Sequence, residues 1–519
     1  MKDIAVVILA LVMFGLIGYF AAAQFGYIEG VGGFYHLFHE TFGKWGNLAV
    51  FIIVILSIFG VIFRYDNTST ILSWVFMLIS FPIVGLIAQV YLSREYFLGK
   101  KLLEKDNEDL KRLRESGVLE NDFSSTKRGE IAEDDIIQEK MNIVKLLSTN
   151  SKALLTDKNR LTLLNNGRTT FDALLKAISE AKEYVHLEYY IIENDNIGNE
   201  VKDALIKKAK EGLEVRLIYD GLGGAGMGRK FKKALKDAGV KLTTFRSVSK
   251  MYFATKINFR NHRKIAVMDG KIAFVGGINI GDNYIEDPEL GFWRDTHLQI
   301  EGEGAQTLQA VFLNDWCHAA KEKLDIKKYL KSYPVESKQW VQIAASGPDS
   351  EWSSTLQAFF AAITTAKEYV YITTPYFIPT ESISTALCVS ALSGVDVRII
   401  LPKESDSSIV KWGTRFHVAS LLEAGVKVYF YTKGFVHSKV MIVDDVFGSV
   451  GTANMDIRSF DQNLEVNALL YDKKIVAELR SSFEQDIKDS EQVNLENYKN
   501  RSYLDRVKER AANMMSPLL

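Results

Sequence analysis

Two stretches of the chain carry the same sparse pattern: His, one residue, Lys, four residues, Asp, six residues, Gly, two residues, Asn. In HRKIAVMDGKIAFVGGIN these are His262, Lys264, Asp269, Gly276 and Asn279. In HSKVMIVDDVFGSVGTAN they are His437, Lys439, Asp444, Gly451 and Asn454. An imidazole and an ammonium two residues apart on a strand point to the same face. Doubling the pair gives a site with two imidazoles and two ammonium groups, which suits a phosphodiester. One imidazole can attack phosphorus while the other protonates the leaving oxygen, and the lysines offset the phosphate charge. A lone His beside a Lys carries little weight, and His186 and His318, outside the pattern, are expected to be ordinary structural histidines. A duplicated strand-turn-strand would explain Gly276, Gly451 and the turn-forming Asp269-Gly270 dipeptide. It would not explain why His, Lys and Asn recur.

An attacking imidazole needs its second nitrogen held by an acceptor, which fixes the tautomer and stabilises the cation. Two acids downstream of the histidines are candidates: Asp295 in FWRDTHL and Glu465 in NLEVNA. Asn279 and Asn454 are expected to donate hydrogen bonds to the phosphate alongside Lys264 and Lys439. Asp269 and Asp444 complete the two motifs among the candidate catalytic residues, and their turn positions point to support of geometry and local electrostatics. No cluster offers metal-ligand spacing and the lysines already supply positive charge, so neither a metal nor another cofactor is expected.

The double pattern resembles the phospholipase D superfamily, whose signature is HxKxxxxD followed by Gly and Asn. The wider text is similar to the bacterial cardiolipin synthases. NHRKIAVMDG (Asn261 to Gly270), VGGINIGDNY (Val275 to Tyr284), SGPDSEW (Ser346 to Trp352), PYFIP (Pro375 to Pro379), GFVHSK (Gly434 to Lys439), GTANMDIRSF (Gly451 to Phe460) and the terminal SPLL (Ser516 to Leu519) carry the likeness, from about residue 48 onward. The resemblance implies one site built from both halves of the chain. It also implies that His262 is the nucleophile, forming a phosphohistidine, and His437 the acid and then the base; the two motifs look equivalent, so their spacing leaves that order open. The implied reaction transfers a phosphatidyl group between two phosphatidylglycerol molecules, giving cardiolipin and glycerol. A hydrolytic phospholipase or nuclease of the same superfamily is the nearer alternative, and a catalytically inactive membrane scaffold the further one.

Bulk properties bound these readings. At 519 residues the chain is too long for one core. Lys and Arg number 63 against 64 Asp and Glu, for a net charge of −1, which is not the electrostatic footprint of a nucleic-acid binder. Cys317 and Cys388 are far apart and are expected to be buried thiols, with no disulfide framework.

The first 93 residues are a different material. Ile4 to Ala23 and Ile71 to Leu92 are uncharged, and Leu48 to Phe63 falls slightly short of the roughly 17 to 25 residues that span a bilayer. The expectation is a membrane anchor over 1–93 with spans at 4–23, 48–63 and 71–92. Arg94, Lys100, Lys101, Lys105, Lys111, Arg112 and Arg114 follow the last span, so the catalytic part is expected on the cytoplasmic side of the cell membrane. A charged linker is expected over 94–150.

The body then repeats itself at a separation of about 180 residues, too long for a solenoid. Ala181-Lys-Glu-Tyr-Val185 returns as Ala366 to Val370, Val215-Arg-Leu-Ile218 as Val397 to Ile400, and Ala238-Gly-Val-Lys241 as Ala424 to Lys427. Helical periods alternate with β-rich runs, which argues for α/β layers. The expected architecture is a pair of phospholipase D-like α/β/α sandwiches, 151–338 and 339–519, sharing one site, with transmembrane helices before them. Gly221, Gly223 and Gly226 form a GxGxxG, but the matching LPKESD lacks glycines, and a flexible loop near the site is expected there instead of a dinucleotide turn. Leu504, Val507, Ala511, Met514, Met515 and Leu518 recur at helical spacing among basic residues, as in a helix that packs on the body or lies on an anionic membrane.

Overall fold

The strand after each His-x-Lys is apolar at every position, and its residues divide between two environments. Ile265 and Val267 enter one core and Ala266 and Met268 another. Val440 and Ile442 enter that same first core, while Met441 and Val443 enter a third. Successive strand side chains point to opposite faces, so both strands are covered on both faces and must lie inside a layered structure.

The computed structural model describes residues 48–63, 68–82, 85–86, 89, 134–245, 259–331, 333 and 335–514. The chain divides into two units, Met1–Glu95 and Tyr96–Leu519. In the larger unit a seven-stranded sheet runs in the order Asn159–Asn165, Thr296–Gly302, Ile272–Gly276, Ile265–Met268, Tyr184–Tyr189, Glu214–Asp220, Lys241–Phe245. A nine-stranded sheet repeats that order with Val341–Ser346, Glu465–Leu470, Phe447–Gly451, Val440–Val443, Tyr369–Thr373, Asp396–Pro402 and Lys427–Tyr431, and adds Leu155–Thr156 and Ser490–Gln492 at its edges. The three strands at one end of each series are parallel and the rest antiparallel. The internal repeat is thus a repeat of topology.

The sheets share an inner core, to which helix Glu303–Ala320 adds Ala305 and Leu308, and helix Lys473–Lys488 adds Ile475, Val476, Leu479 and Phe483. Helices Gly167–Glu180, Asn196–Lys210 and Gly228–Asp237 cover the outer face of the first sheet, with Phe171, Leu174, Val201, Leu205 and Phe231 in its core. Helices Ser354–Thr364, Glu381–Leu392 and Ser408–Glu423 cover the second. From Asp135 the stretch expected as linker is not solvated: helices Asp135–Glu139 and Met141–Asn150 bury Ile137, Ile143, Val144 and Leu147 in the core of the second sheet.

Each motif aspartate lies at the hairpin turn, with φ of 56° at Asp269 and 54° at Asp444. The Asp269 carboxylate accepts from the N–H groups of Lys182, Glu183 and Tyr184 at 2.8 Å each. Asp444 accepts from Lys367, Glu368 and Tyr369 at 2.9, 2.8 and 3.0 Å. The repeated Ala-Lys-Glu-Tyr-Val is therefore the partner of the repeated Asp, which pins the turn to the start of the neighbouring strand. Each Asp lies five positions beyond its Lys with four residues between them, about 16 Å along extended chain. Both carboxylates are engaged at the turn, the supporting position expected of them.

The loop at Gly221 to Gly226 is also tied down, since Asp220 accepts from the Leu222 and Gly223 N–H groups at 2.8 and 3.2 Å. Cys317 is buried, whereas Cys388 is only half-buried.

In the smaller unit, residues 48–63 and Thr68–Ser80 are helical. Val54, Ile58, Val61, Val75 and Leu78 bury one another, while Leu56, Phe59, Phe63, Leu72 and Phe76 face outward. Among the described residues no helix is long and apolar enough to cross a membrane. The expected span at 4–23 and most of 83–92 lie outside the described residues, as does the terminal SPLL.

Candidate active site

Two short crossings between the halves build the site. Gly434–Val436 pairs in parallel with Phe292–Arg294, and Asn261 forms a bridge with Leu464. His437 N–H donates to the Arg294 carbonyl at 2.7 Å, and His262 N–H to the Leu464 carbonyl at 3.0 Å. Each motif histidine therefore lies beside the residue preceding an acid of the other half. This backbone register decides which carboxylate serves which ring.

The pairing is crossed. His262 Nδ1 stands 3.0 Å from both oxygens of Glu465, and His437 Nδ1 2.7 Å from Asp295 Oδ2. An ionised carboxylate can only accept, so each ring donates from Nδ1 and keeps the lone pair of its neutral form on Nε2. Glu465 also accepts from the Thr452 hydroxyl at 2.5 Å and from Asn463 Nδ2 at 3.3 Å. Asp295 accepts from the Thr296 N–H at 2.7 Å. Gly277 occupies the place of Thr452 in the first half, and a Cβ there would collide with the Asp295 carboxylate. The longer acid thus has a hydroxyl beside it, and the shorter one a glycine.

Lys264 Nζ donates to the carbonyl of His262 at 2.7 Å, and Lys439 Nζ to that of His437 at 2.5 Å. Lys439 Nζ also lies 3.0 Å from both ring nitrogens of His437. Burial sets the charge states. It pushes the His262 imidazole down to about 4 against the opposing charge of Glu465. It holds His437 well below the usual imidazole range, with Lys439 and Lys264 acting in the same direction. The ammonium groups are lowered too, Lys264 to about 7 with only partial compensation from Glu465, and Lys439 to about 8 with compensation from Asp295. Burial raises Asp295 to about 6, opposed by Lys439. For Glu465 burial also pushes upward, but the charge and hydrogen bond of His262, with Lys264 and Thr452, leave it below its ordinary value.

A cavity of about 810 Å³ opens over both imidazoles. Asn279 and Asn454 line it. Asn279 Oδ1 accepts from the Ile191 N–H at 3.1 Å and its amide donates to the Tyr284 hydroxyl. The Asn454 Oδ1 is buried without a hydrogen-bond partner among the described residues. Tyr190 and Ile191 from the first half, with Tyr376 and Ile378 from the second, form apolar wall. Tyr190 packs edge-on against His262 at 5.1 Å, and Tyr284 against His437 at 5.6 Å.

The structure thus gathers His262, Lys264, Asn279, Asp295, His437, Lys439, Asn454 and Glu465, and leaves out Asp269 and Asp444. Sequence reasoning missed Thr452 and Arg263. Arg263 is buried, pairs with Asp315, and donates from Nε to the Glu465 carbonyl at 3.1 Å. Its signal was the residue between His and Lys, which is Arg in one motif and Ser in the other. His186 stacks between Tyr184 and Phe312, far from this chemistry in role.

The sequence matches the family described as "Cardiolipin synthase, PLD-like domain" over residues 174–316 and 359–487. It is 41% identical over 483 residues to the cardiolipin synthase of Halalkalibacterium halodurans, covering 91% of this chain and 94% of that protein. It is 38% identical over 478 residues to the probable cardiolipin synthase YwiE of Bacillus subtilis, covering 92% and 94%. The crystal structure of phosphatidylserine synthase from Haemophilus influenzae superposes with a TM-score of 0.55 at 13% identity, over 74% of this chain and 100% of that one, a likeness of fold. With both motifs intact and one cavity over them, the chain belongs to the cardiolipin synthase family of phospholipase D-like phosphatidyltransferases.

Proposed function

We propose that this enzyme condenses two phosphatidylglycerol molecules to cardiolipin and glycerol through a phosphatidyl-histidine. The crossed imidazole–carboxylate pairs beneath a single cavity carry this reading. His262 Nε2 attacks phosphorus, the bond to the glycerol oxygen breaks, and His437 gives that oxygen a proton. A hydroxyl of the second lipid then loses its proton to His437 and attacks phosphorus, and the P–N bond breaks. Lys264, Lys439, Asn279 and Asn454 hold the non-bridging oxygens, while Glu465 and Asp295 orient the rings. His437 is neutral in the free protein, and the arriving phosphate anion raises its affinity for the proton it must donate.

The duplicated units are taken as 151–338 and 339–519. Residues 1–93 serve as an integral anchor in the cell membrane, with the catalytic body on the cytoplasmic side. The outward-facing Phe59, Phe63, Leu72 and Phe76 support the anchor. Helix Tyr503–Met514 leaves Leu504, Val507 and Met514 exposed while Ala512 is buried, which supports contact with the lipid surface.

Water at about 55 M competes with a lipid hydroxyl unless the site excludes it or holds the acceptor. Phosphatidylglycerol bilayers should therefore yield mainly cardiolipin and glycerol, with phosphatidic acid minor, and added glycerol should slow net synthesis by reversing the exchange. Product analysis of labelled lipid checks this. Predominant phosphatidic acid with no glycerol effect makes the enzyme a phospholipase.

The charge states set a pH profile. His262, lowered to about 4, is neutral and nucleophilic above that value, so kcat/KM should fall as pH drops through it. Lys264 and Lys439, lowered to about 7 and about 8, lose their charge above those values, so kcat/KM should fall again as pH rises through 7 to 8. A rate constant that stays level from pH 7 to 9 removes the lysines from phosphate binding.

A further inference from the structure

The two halves share the His, Lys and Asn of their motifs around the cavity, and at two of the positions where they differ the difference is one of charge. Two positions before His262 stands Arg260; two positions before His437 stands Phe435. Phe435 is fully buried and tilted over the His437 ring at 5.8 Å, beside Trp293. Arg260 is 2% exposed yet lines the cavity, and its Nε, Nη1 and Nη2 have no hydrogen-bond partner among the described residues. Its nearest counter-charge, Asp220, lies 3.6 Å away. That carboxylate is already engaged by the N–H groups of Leu222, Gly223 and Asn261. Likewise Arg458 lines the cavity where the first half has Asn283.

A guanidinium held inside a protein with all these donors idle is unusual, because a buried donor without an acceptor is costly. Its planar fork matches two oxygens of a phosphate. The lysines and asparagines already account for the reacting phosphate. The proposed acceptor brings a second phosphate, joined to its attacking hydroxyl through the three carbons of glycerol. Arg260 lines the same cavity as both imidazoles, so a phosphate three carbons from the attacking hydroxyl can lie against it. We propose that Arg260 binds the phosphodiester of the acceptor lipid, so that the site selects an alcohol carrying its own phosphate over a neutral alcohol or water.

The inference rests on the transferase reading above. One covalent intermediate should serve two acceptors: phosphatidylglycerol, which carries a phosphate, and free glycerol, which does not. The test compares the full-length enzyme with Arg260→Gln and Arg260→Lys in phosphatidylglycerol bilayers containing labelled glycerol, measuring cardiolipin formation and label entry into phosphatidylglycerol in the same sample. In Arg260→Gln, cardiolipin formation should fall at least about tenfold more than glycerol exchange, and Arg260→Lys should recover part of the difference. Exchange also reports that the variant is folded. Equal loss of both reactions, or of neither, overturns the acceptor role. Failure of the wild-type enzyme to make cardiolipin would instead refute the transferase reading.

Discussion

Alanine at either His262 or His437 should lower turnover by at least about 10³-fold, because one ring must attack phosphorus while the other moves the proton. The Nδ1 atoms are each held by a carboxylate of the opposite half, which leaves each Nε2 for one of these roles. Groups that act as a unit are non-additive, and the double variant should be little worse than either single one. The roles separate in a trapping experiment with acyl-labelled phosphatidylglycerol. Label should remain bound to His437→Ala after denaturation, since attack by His262 can precede the missing acid, and His262→Ala should retain none. The reverse pattern exchanges the roles, and substantial turnover in either variant would mean that the halves do not share a site.

The second large effect is expected at the carboxylates. Glu465→Gln and Asp295→Asn should each reduce kcat by about 10²- to 10⁴-fold, the range expected when an orienting acid becomes an amide. The amide can offer its NH2 group to Nδ1, which stabilises the tautomer protonated on Nε2 and removes the lone pair from the cavity. It also takes away the negative charge that opposes the lowering of His262 by burial. Glu465→Gln should therefore affect formation of the covalent intermediate, read as the single-turnover burst of glycerol. Asp295→Asn should affect its breakdown as well, because His437 acts in both steps. Circular dichroism and chromatographic elution matching the wild type keep these losses from being read as unfolding. Losses under fivefold would make the two acids structural.

What could be read along the chain depended on local geometry. A His and a Lys two apart on a strand share a face whatever the surroundings, and the recurrence of Asp after four further residues marks the same hairpin turn twice. Alternating helical and β-rich runs announced two α/β units because side-chain period is a property of the segment itself. The repeated Ala-Lys-Glu-Tyr-Val was visible as a repeat, but its purpose was not. Only the folded sheet brings its N–H groups onto Asp269 and Asp444, so that each acid holds its hairpin turn to the neighbouring strand.

The identities of Asp295 and Glu465 as ring partners were legible from residue type, whereas their assignment was not. In sequence Asp295 follows His262 and Glu465 follows His437, yet the hydrogen bonds run the other way, because the Phe292–Arg294 and Gly434–Val436 pairing and the Asn261–Leu464 bridge carry each acid into the opposite half. The charge states also belong to the tertiary structure. Nothing in the composition distinguishes Lys264 from the exposed Lys233. Complete burial lowers the first to about 7 against the opposing charge of Glu465, while an aspartate neighbour raises the second. The same holds for Arg260, one arginine among many in the sequence. Packing decided that it should stand in the cavity wall with its guanidinium nitrogens unbonded among the described residues, at the place where the other half carries Phe435. Spacing along a chain fixes which residues share a face; the register between two halves fixes which of them meet and how far water is kept from their charges.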